Sequence, residues 1–222
     1  MSELCRERLA TQLAEAVAEA LRQDLASQER ALLVVSGGST PVPFFQALAA
    51  FELPWERVEV TLADERWVPA THADSNARLV GEHLLQGAAA AASFVPLITG
   101  AATPEQGVDE VAKRLAPLAW PASAVVLGMG GDGHTASLFP DSRELDLALS
   151  TAEPAVAVRA PSQPQPRITL SADRLHRARR HFLHITGGDK RDVLARALAG
   201  DDLRELPIRA FLSCPLATYW AP

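Results

Sequence analysis

Residues 123–140 read SAVVLGMGGDGHTASLFP, an apolar run that empties into glycines and then meets a histidine. Gly128, Gly130 and Gly133 spell G-x-G-x-x-G, a spacing that binds a dinucleotide when it joins a strand to a helix. The context here differs. A dinucleotide site carries an acidic residue about 20 positions on, at the end of the next strand. Glu153 has that separation but precedes the next apolar run, AVAVRA (155–160), instead of ending it. The only helix open to the motif is TASLF, cut short by Pro140 and Asp141. The glycines therefore read as the end of a buried strand that something approaches closely. No nicotinamide cofactor, and no other, is expected.

The same pattern recurs along the chain. ALLVVSGG (31–38) is another apolar run into glycine, and VEVTLADERWV (58–68) reads as a strand. AVAVRA, RITLS (167–171) and RHFLHITGG (180–188) complete the strands. Between them lie helical patterns at 40–50, 75–85 with Ser75 as its cap, 104–116 and 189–200. An amphipathic helix opens the chain over 3–27, with Leu9, Leu13, Val17, Leu21 and Leu25 on one face. The Ala-rich 88–92 and Pro-rich 160–167 read as loops, and SCPLATYWAP (213–222) as an apolar segment able to form a last strand. Alternating strands and helices imply an α/β fold, an open, mostly parallel sheet with helices on both faces, in one domain over 1–222.

Composition narrows the function. The net charge of −6 (21 basic against 27 acidic residues) argues against a general nucleic-acid or membrane-surface binder. Cys5 and Cys214 lie at opposite ends with no metal-ligand spacing, which fits a reduced, cytoplasmic setting. The N-terminal segment mixes Glu, Arg and Asp with its apolar residues, unlike a signal or transit peptide. No apolar run approaches the roughly 18 residues that span a bilayer.

Four segments deliver glycines or charges to the carboxyl edge of the sheet: VVSGGSTP, TLADERWVP, VVLGMGGDGH and ITGGDK. Ligands of open α/β sheets bind at that edge. Gly38, Ser39 and Thr40 before a helix start form an anion site from free N–H groups, with Thr40 as an N-cap the plainer alternative. The missing G-K-[ST] ending excludes a nucleotide P-loop. Lys190 follows two glycines at a helix start, where a positive charge opposes the helix dipole unless an anion binds there. His134, with Asp132 two positions before it, is the candidate base, because an imidazole exchanges protons near neutral pH. Histidines 72, 83, 176, 181 and 184 have no comparable setting and read as structural or solvated. None of them has the spacing of a metal site, and no metal is expected. Trp67 reads as a core residue.

SGGSTP, LADERWVP followed by DSN (74–76), and GMGGDGHTASLFP together resemble the family of 6-phosphogluconolactonases and glucosamine-6-phosphate isomerases, in order along nearly the whole chain. The resemblance implies a sugar phosphate at the strand ends of the α/β sheet, a cytoplasmic and monomeric enzyme, and no cofactor. Within the family the residues resemble the lactonases. The deaminase motif resembles D-G-H-I-A-F-N-E-P, and Phe139 stands here in place of its glutamate; Arg66 stands where the deaminases tend to have tyrosine. The implied reaction is hydrolysis of 6-phospho-D-glucono-1,5-lactone, with His134 as general base and Asp132 orienting it.

By the same resemblance, Gly38, Ser39 and Thr40 grip the phosphate, with Arg66, Arg167 and Lys190 as its cations, although Arg159 is near enough to compete with Arg167. Backbone N–H groups around Gly130 and Gly131, or Arg66, stabilise the oxyanion. Asp64 matches the deaminases' proton-shuttling aspartate or else holds Arg66 or sugar hydroxyls. Two other functions stay open: a glucosamine-6-phosphate deaminase/isomerase, and a phosphosugar-binding module without chemistry. The His134–Asp132 pair and the lack of a DNA-binding segment argue against the latter.

Overall fold

The computed structural model describes the backbone of residues 2–222 and the side chains of residues 5–222. In chain order its elements are α1 (Ser2–Leu25), β1 (Ala31–Val35), α2 (Val42–Ala49), β2 (Val58–Leu62), β3 (Asp64–Arg66), α3 (Asn76–His83), β4 (Ser93–Val95), α4 (Pro104–Leu115) and β5 (Ala124–Leu127). There follow α5 (Leu145–Ser150), β6 (Ala155–Val158), β7 (Arg167–Leu170), α6 (Ala172–His176), β8 (His181–Thr186), α7 (Gly188–Leu198), α8 (Arg209–Leu212) and β9 (Leu216–Ala221).

β1 (ALLVV) and β5 (AVVL) are buried along their whole length, as strands covered on both faces must be. They lie at the centre of a six-stranded sheet ordered β4-β2-β1-β5-β8-β9, with every pairing parallel. The chain winds outward from β1 through β2 to β4, then crosses back and winds outward from β5 through β8 to β9. The winding reverses between β1 and β5, and neither outgoing connection covers the crevice at their carboxyl ends. The glycine runs 37–38 and 128–131 end these two strands, so both glycine loops open onto one crevice.

The 58–68 segment is two strands, not one. At Ala63 the chain leaves the main sheet: its N–H still donates to Val35 O at 2.8 Å, while its carbonyl accepts from Leu170 N at 2.8 Å. β3 then enters a second, antiparallel sheet ordered β3-β7-β6. The runs 155–160 and 167–171 belong to that small sheet and not to the main one. Period-two apolar patterns carry no information about which sheet a strand joins. The short elements β4, α5, α6 and α8 were not expected from the sequence, and the Ala-rich loop contains a 3-10 turn over Gly87–Ala91. TASLF forms no helix, and Ala136 within it has a φ of +49°. Ser75 caps α3 as expected, accepting from Arg78 N. Thr40 does not cap α2, whose N-cap is Pro41 without a side-chain hydrogen bond. Trp67 is partly buried against α4: a Cβ on Gly107 would stand 2.4 Å from its Cη2.

Glu65 ties β3 of the small sheet to the start of α3. Its carboxylate, fully buried, accepts from Arg66 N (2.7 Å), Asn76 N (2.8 Å), Ala77 N (2.7 Å) and Ser75 Oγ (3.1 Å). Burial pushes the carboxyl up from its ordinary pKa, while the three backbone donors pull against that rise. Replacing Glu65 with Ala leaves those buried donors unpaired, and about 1–3 kcal/mol is lost for each group stranded. Urea denaturation is expected to show Glu65→Ala destabilised by at least ~3 kcal/mol, with Glu65→Gln recovering part of the loss.

Candidate active site

A cavity of about 270 Å³ opens at the β1–β5 crevice. One wall is the loop after β5, folded tightly on itself: Gly130 N donates to His134 O (2.8 Å) and Gly133 N to Gly130 O (3.2 Å). Two of the motif's glycines have separate steric reasons. Gly133 has a φ of +75°, and a Cβ there would lie 2.5 Å from Leu206 Cδ2. A Cβ on Gly130 would lie 2.2 Å from both Cε1 and Nδ1 of His134. The spacing that imitates a dinucleotide motif thus makes room for an imidazole.

His134 is held on several sides. Its Nδ1 lies 2.5 Å from Asp132 Oδ1, and its backbone N–H donates to the same oxygen at 3.2 Å. An ionised carboxylate only accepts, so Nδ1 carries the proton and the lone pair is left on Nε2. Burial pushes the Asp132 carboxyl up, but the hydrogen bonds and charge of His134 outweigh it and leave Asp132 below its ordinary value. The Phe139 ring packs against the imidazole with centroids 4.4 Å apart. Phe139 is buried and also carries the Arg167 guanidinium, 5.5 Å from its centroid.

Three cations, Arg66, Arg167 and Lys190, line the same cavity. Arg66 Nη1 donates to Asp74 O (2.5 Å), while Arg167 Nη2 donates to Gln163 Oε1 (2.7 Å). Burial lowers the pKa of Arg167, and the nearby charge of Asp64, 3.7 Å away, opposes that fall. Asp64 itself accepts from Ser137 Oγ at 2.5 Å, a bond between β3 and the histidine loop. Arg159 is exposed and turned away, donating to both oxygens of Glu105, whose carboxyl it holds at about 2. The cation that competes with Arg167 in the sequence is therefore committed elsewhere.

Gly38 and Thr40 line the cavity with Gly37 and Pro41; Ser39 lies on the same loop but off the lining. Gly130 lines the cavity, whereas Gly131 and Asp132 are set behind it, the position of a Gly131 Cβ being 3.8 Å from Lys190 Nζ. Neither α2 nor α7 has a side-chain cap; at α2 Val42 N donates to Ser39 O (3.5 Å) and Pro43 has no N–H, whereas the first turn of α7 leaves N–H groups free for a ligand. The lining also includes polar side chains that the sequence does not single out, among them Asn76, Gln163 and His184. Asn76 follows the capping Ser75 in DSN, and its Nδ2 donates to Asp64 O at 2.9 Å. Nothing local marks Gln163 or His184.

Ser36 Oγ, Arg66 Nε, Asn76 Oδ1, Arg167 Nε and His184 Nδ1 are buried without a hydrogen-bond partner, and all five residues line this cavity. Unpaired buried polar atoms are costly, and their collection at one place marks a site built for a polar ligand. Among the described residues no group of three or more His, Cys, Asp or Glu is placed to hold a metal, and no helix is long and apolar enough to cross a membrane.

Fold and cavity together define an α/β protein with a cleft at a topological switch point, lined by three cations and a histidine paired with a carboxylate. Residues 5–220 match the family described as glucosamine-6-phosphate isomerases/6-phosphogluconolactonase, and the chain belongs to that family. It is 49% identical to the 6-phosphogluconolactonase of Pseudomonas aeruginosa, an alignment covering 95% of this chain and 89% of that one. It is 45% identical to the 6-phosphogluconolactonase of Rhizobium meliloti over 96% of this chain and 94% of the relative. The crystal structure of a 6-phosphogluconolactonase from Shewanella baltica superposes with a TM-score of 0.96 at 44% identity, covering 97% of this chain and 94% of that one.

Desolvation lowers His184 to about 4, so the folded protein refuses a proton that the unfolded chain accepts below about pH 6.5. That contribution is intact above pH 6.5 and lost as the pH falls toward 4, about 2–3 kcal/mol in all. Urea denaturation at pH 7 and pH 4.5 is expected to show this decline, and a flatter one in His184→Leu.

Proposed function

We propose that the protein hydrolyses 6-phospho-D-glucono-1,5-lactone to 6-phosphogluconate, a step of the oxidative pentose phosphate pathway. The observation that carries this reading is the His134–Asp132 pair on the rim of a cleft holding three cations and two uncapped helix starts. A lactone is an activated ester, and its hydrolysis needs a held substrate, an aimed water and a place for developing charge. Relatives named 6-phosphogluconolactonase at 45–49% identity over nearly the whole chain support the substrate.

In the proposed mechanism His134 Nε2 takes a proton from the water that attacks C1. The carbonyl π electrons move onto its oxygen, which N–H groups around Gly130 and Gly131, or Arg66, stabilise. As the intermediate collapses, the C1 to ring-oxygen bond breaks and the imidazolium returns its proton to the leaving alkoxide. Asp132 keeps the imidazole in the tautomer that frees Nε2 and stabilises its transient charge. Gly38, Ser39, Thr40, Arg167 and Lys190 hold the phosphate, whose binding energy fixes the reacting carbon. Asp64, bonded to Ser137 and close to Arg167, serves to position this wall. The deaminase alternative requires an acid–base group where Phe139 is instead buried against His134 and Arg167.

A coupled assay on freshly generated lactone, corrected for spontaneous hydrolysis, tests the proposal. His134→Ala is expected to lower kcat by about 10²–10⁴-fold while 6-phosphogluconate still binds. No acceleration by the wild-type protein, or turnover of glucosamine 6-phosphate instead, overturns it. Gly130→Ala, whose Cβ meets the His134 ring, is expected to lose at least about tenfold in kcat with little change in folding stability, since displacing a reacting group by ~1 Å is enough to cost 10²-fold.

A further inference from the structure

The acid–base machinery proposed above makes no use of His184. This residue is 5% exposed, lines the cavity, and packs its ring edge-on to Phe44 with centroids 6.2 Å apart. Neither ring nitrogen has a protein partner among the described residues: Nδ1 is sealed off, which leaves Nε2 as the nitrogen on the cavity side. A histidine kept for packing alone is replaceable by an apolar residue; one whose nitrogens are stripped of water without a partner calls for a ligand.

Its place in the sheet says which part of the ligand it meets. Val35 pairs with Val126, and Leu127 with Leu183, so two residues past the first pair and one past the second Gly37, Gly128 and His184 come level. Gly128 has no side chain, and the space a Cβ there would fill has no atom within 4 Å, so the central strand puts no side chain between the two flanking positions. Phe44, against which the imidazole rests, belongs to α2, the helix that this loop feeds. On the other side β8 runs on through Thr186 to Lys190 in the first turn of α7. His134 is held elsewhere, against Phe139. His184 thus stands between the two uncapped helix starts.

We propose that His184 is a phosphate-binding residue, its Nε2–H donating to the phosphoryl group of a sugar phosphate held between the Gly37–Gly38 loop and Lys190. The inference rests on the sugar-phosphate reading of the cleft and adds a neutral donor to its cations. Such a donor suits the deep end of the site, where another cation would have to be stripped of water each time the cleft emptied.

Calorimetric titration with 6-phosphogluconate and with gluconate, alongside kinetics on the phosphorylated and unphosphorylated lactones, tests it. His184→Leu is expected to weaken 6-phosphogluconate binding by about tenfold or more, the cost of one hydrogen bond to a charged group. KM for the phospholactone is expected to rise with kcat within about twofold, and gluconate binding to stay unchanged. His184→Gln, which restores an N–H donor, recovers part of the loss. His184→Phe, apolar and of similar shape beside Phe44, is the second variant should His184→Leu misfold. Equal losses toward phosphorylated and unphosphorylated ligands, or no loss at all, overturn the role of His184. A wild-type protein that binds 6-phosphogluconate no better than gluconate overturns the sugar-phosphate reading itself.

Discussion

A buried carboxylate organises this protein's cleft. Glu65 accepts from the backbone of Arg66, Asn76 and Ala77 and from the Ser75 hydroxyl, so the end of β3 and the start of α3 share one acceptor. Its neighbours Asp64 and Arg66 both line the cavity, and Asn76 reaches back to Asp64 O while packing against Gly37. One buried charge, satisfied by backbone and hydroxyl donors, thereby sets the relative position of three segments distant in sequence. Burying the charge is costly in itself, and the four donors offset that cost only while the geometry is kept. A rigid wall follows from that condition.

The opposite wall depends on shape more than charge. The loop after β5 brings an imidazole against the Cα of Gly130 and closes by two backbone hydrogen bonds. Phe139 links the walls, since its ring supports His134 and also lies under Arg167. Ser137 Oγ donating to Asp64 makes a second link. His134 and the cations are therefore held by shared supports, which suits the proposed reaction, in which a remote phosphate must fix the distance between water and carbonyl.

Charge distribution explains how a protein of net charge −6 can hold an anion. Arg159 and other arginines are occupied in surface ion pairs, whereas Arg66, Arg167 and Lys190 turn to one cavity. The unpaired atoms Arg66 Nε, Arg167 Nε and Asn76 Oδ1 lie in the same lining.

Much of this was legible in the chain because it is local. Glycines after apolar runs, Ser75 before a helix, and Asp132 two residues from His134 act over a few residues, so their spacing carries their meaning. The parallel sheet and its carboxyl-edge site follow from the alternation of strands and helices. Other features needed the tertiary structure. Ala63 turns the chain out of the main sheet through hydrogen bonds to Val35 and Leu170, partners 28 and 107 residues away. Glu65 looks like one charge in a polar run, His184 like one more residue of a buried strand, and Phe139 like a core aromatic. Their roles arise from neighbours that only the sheet order brings together, and long-range contact leaves no periodic trace in sequence. The chain by itself determined which backbone could bend and set a histidine beside a carboxylate; the packing of β1 against β5 decided what that histidine would face.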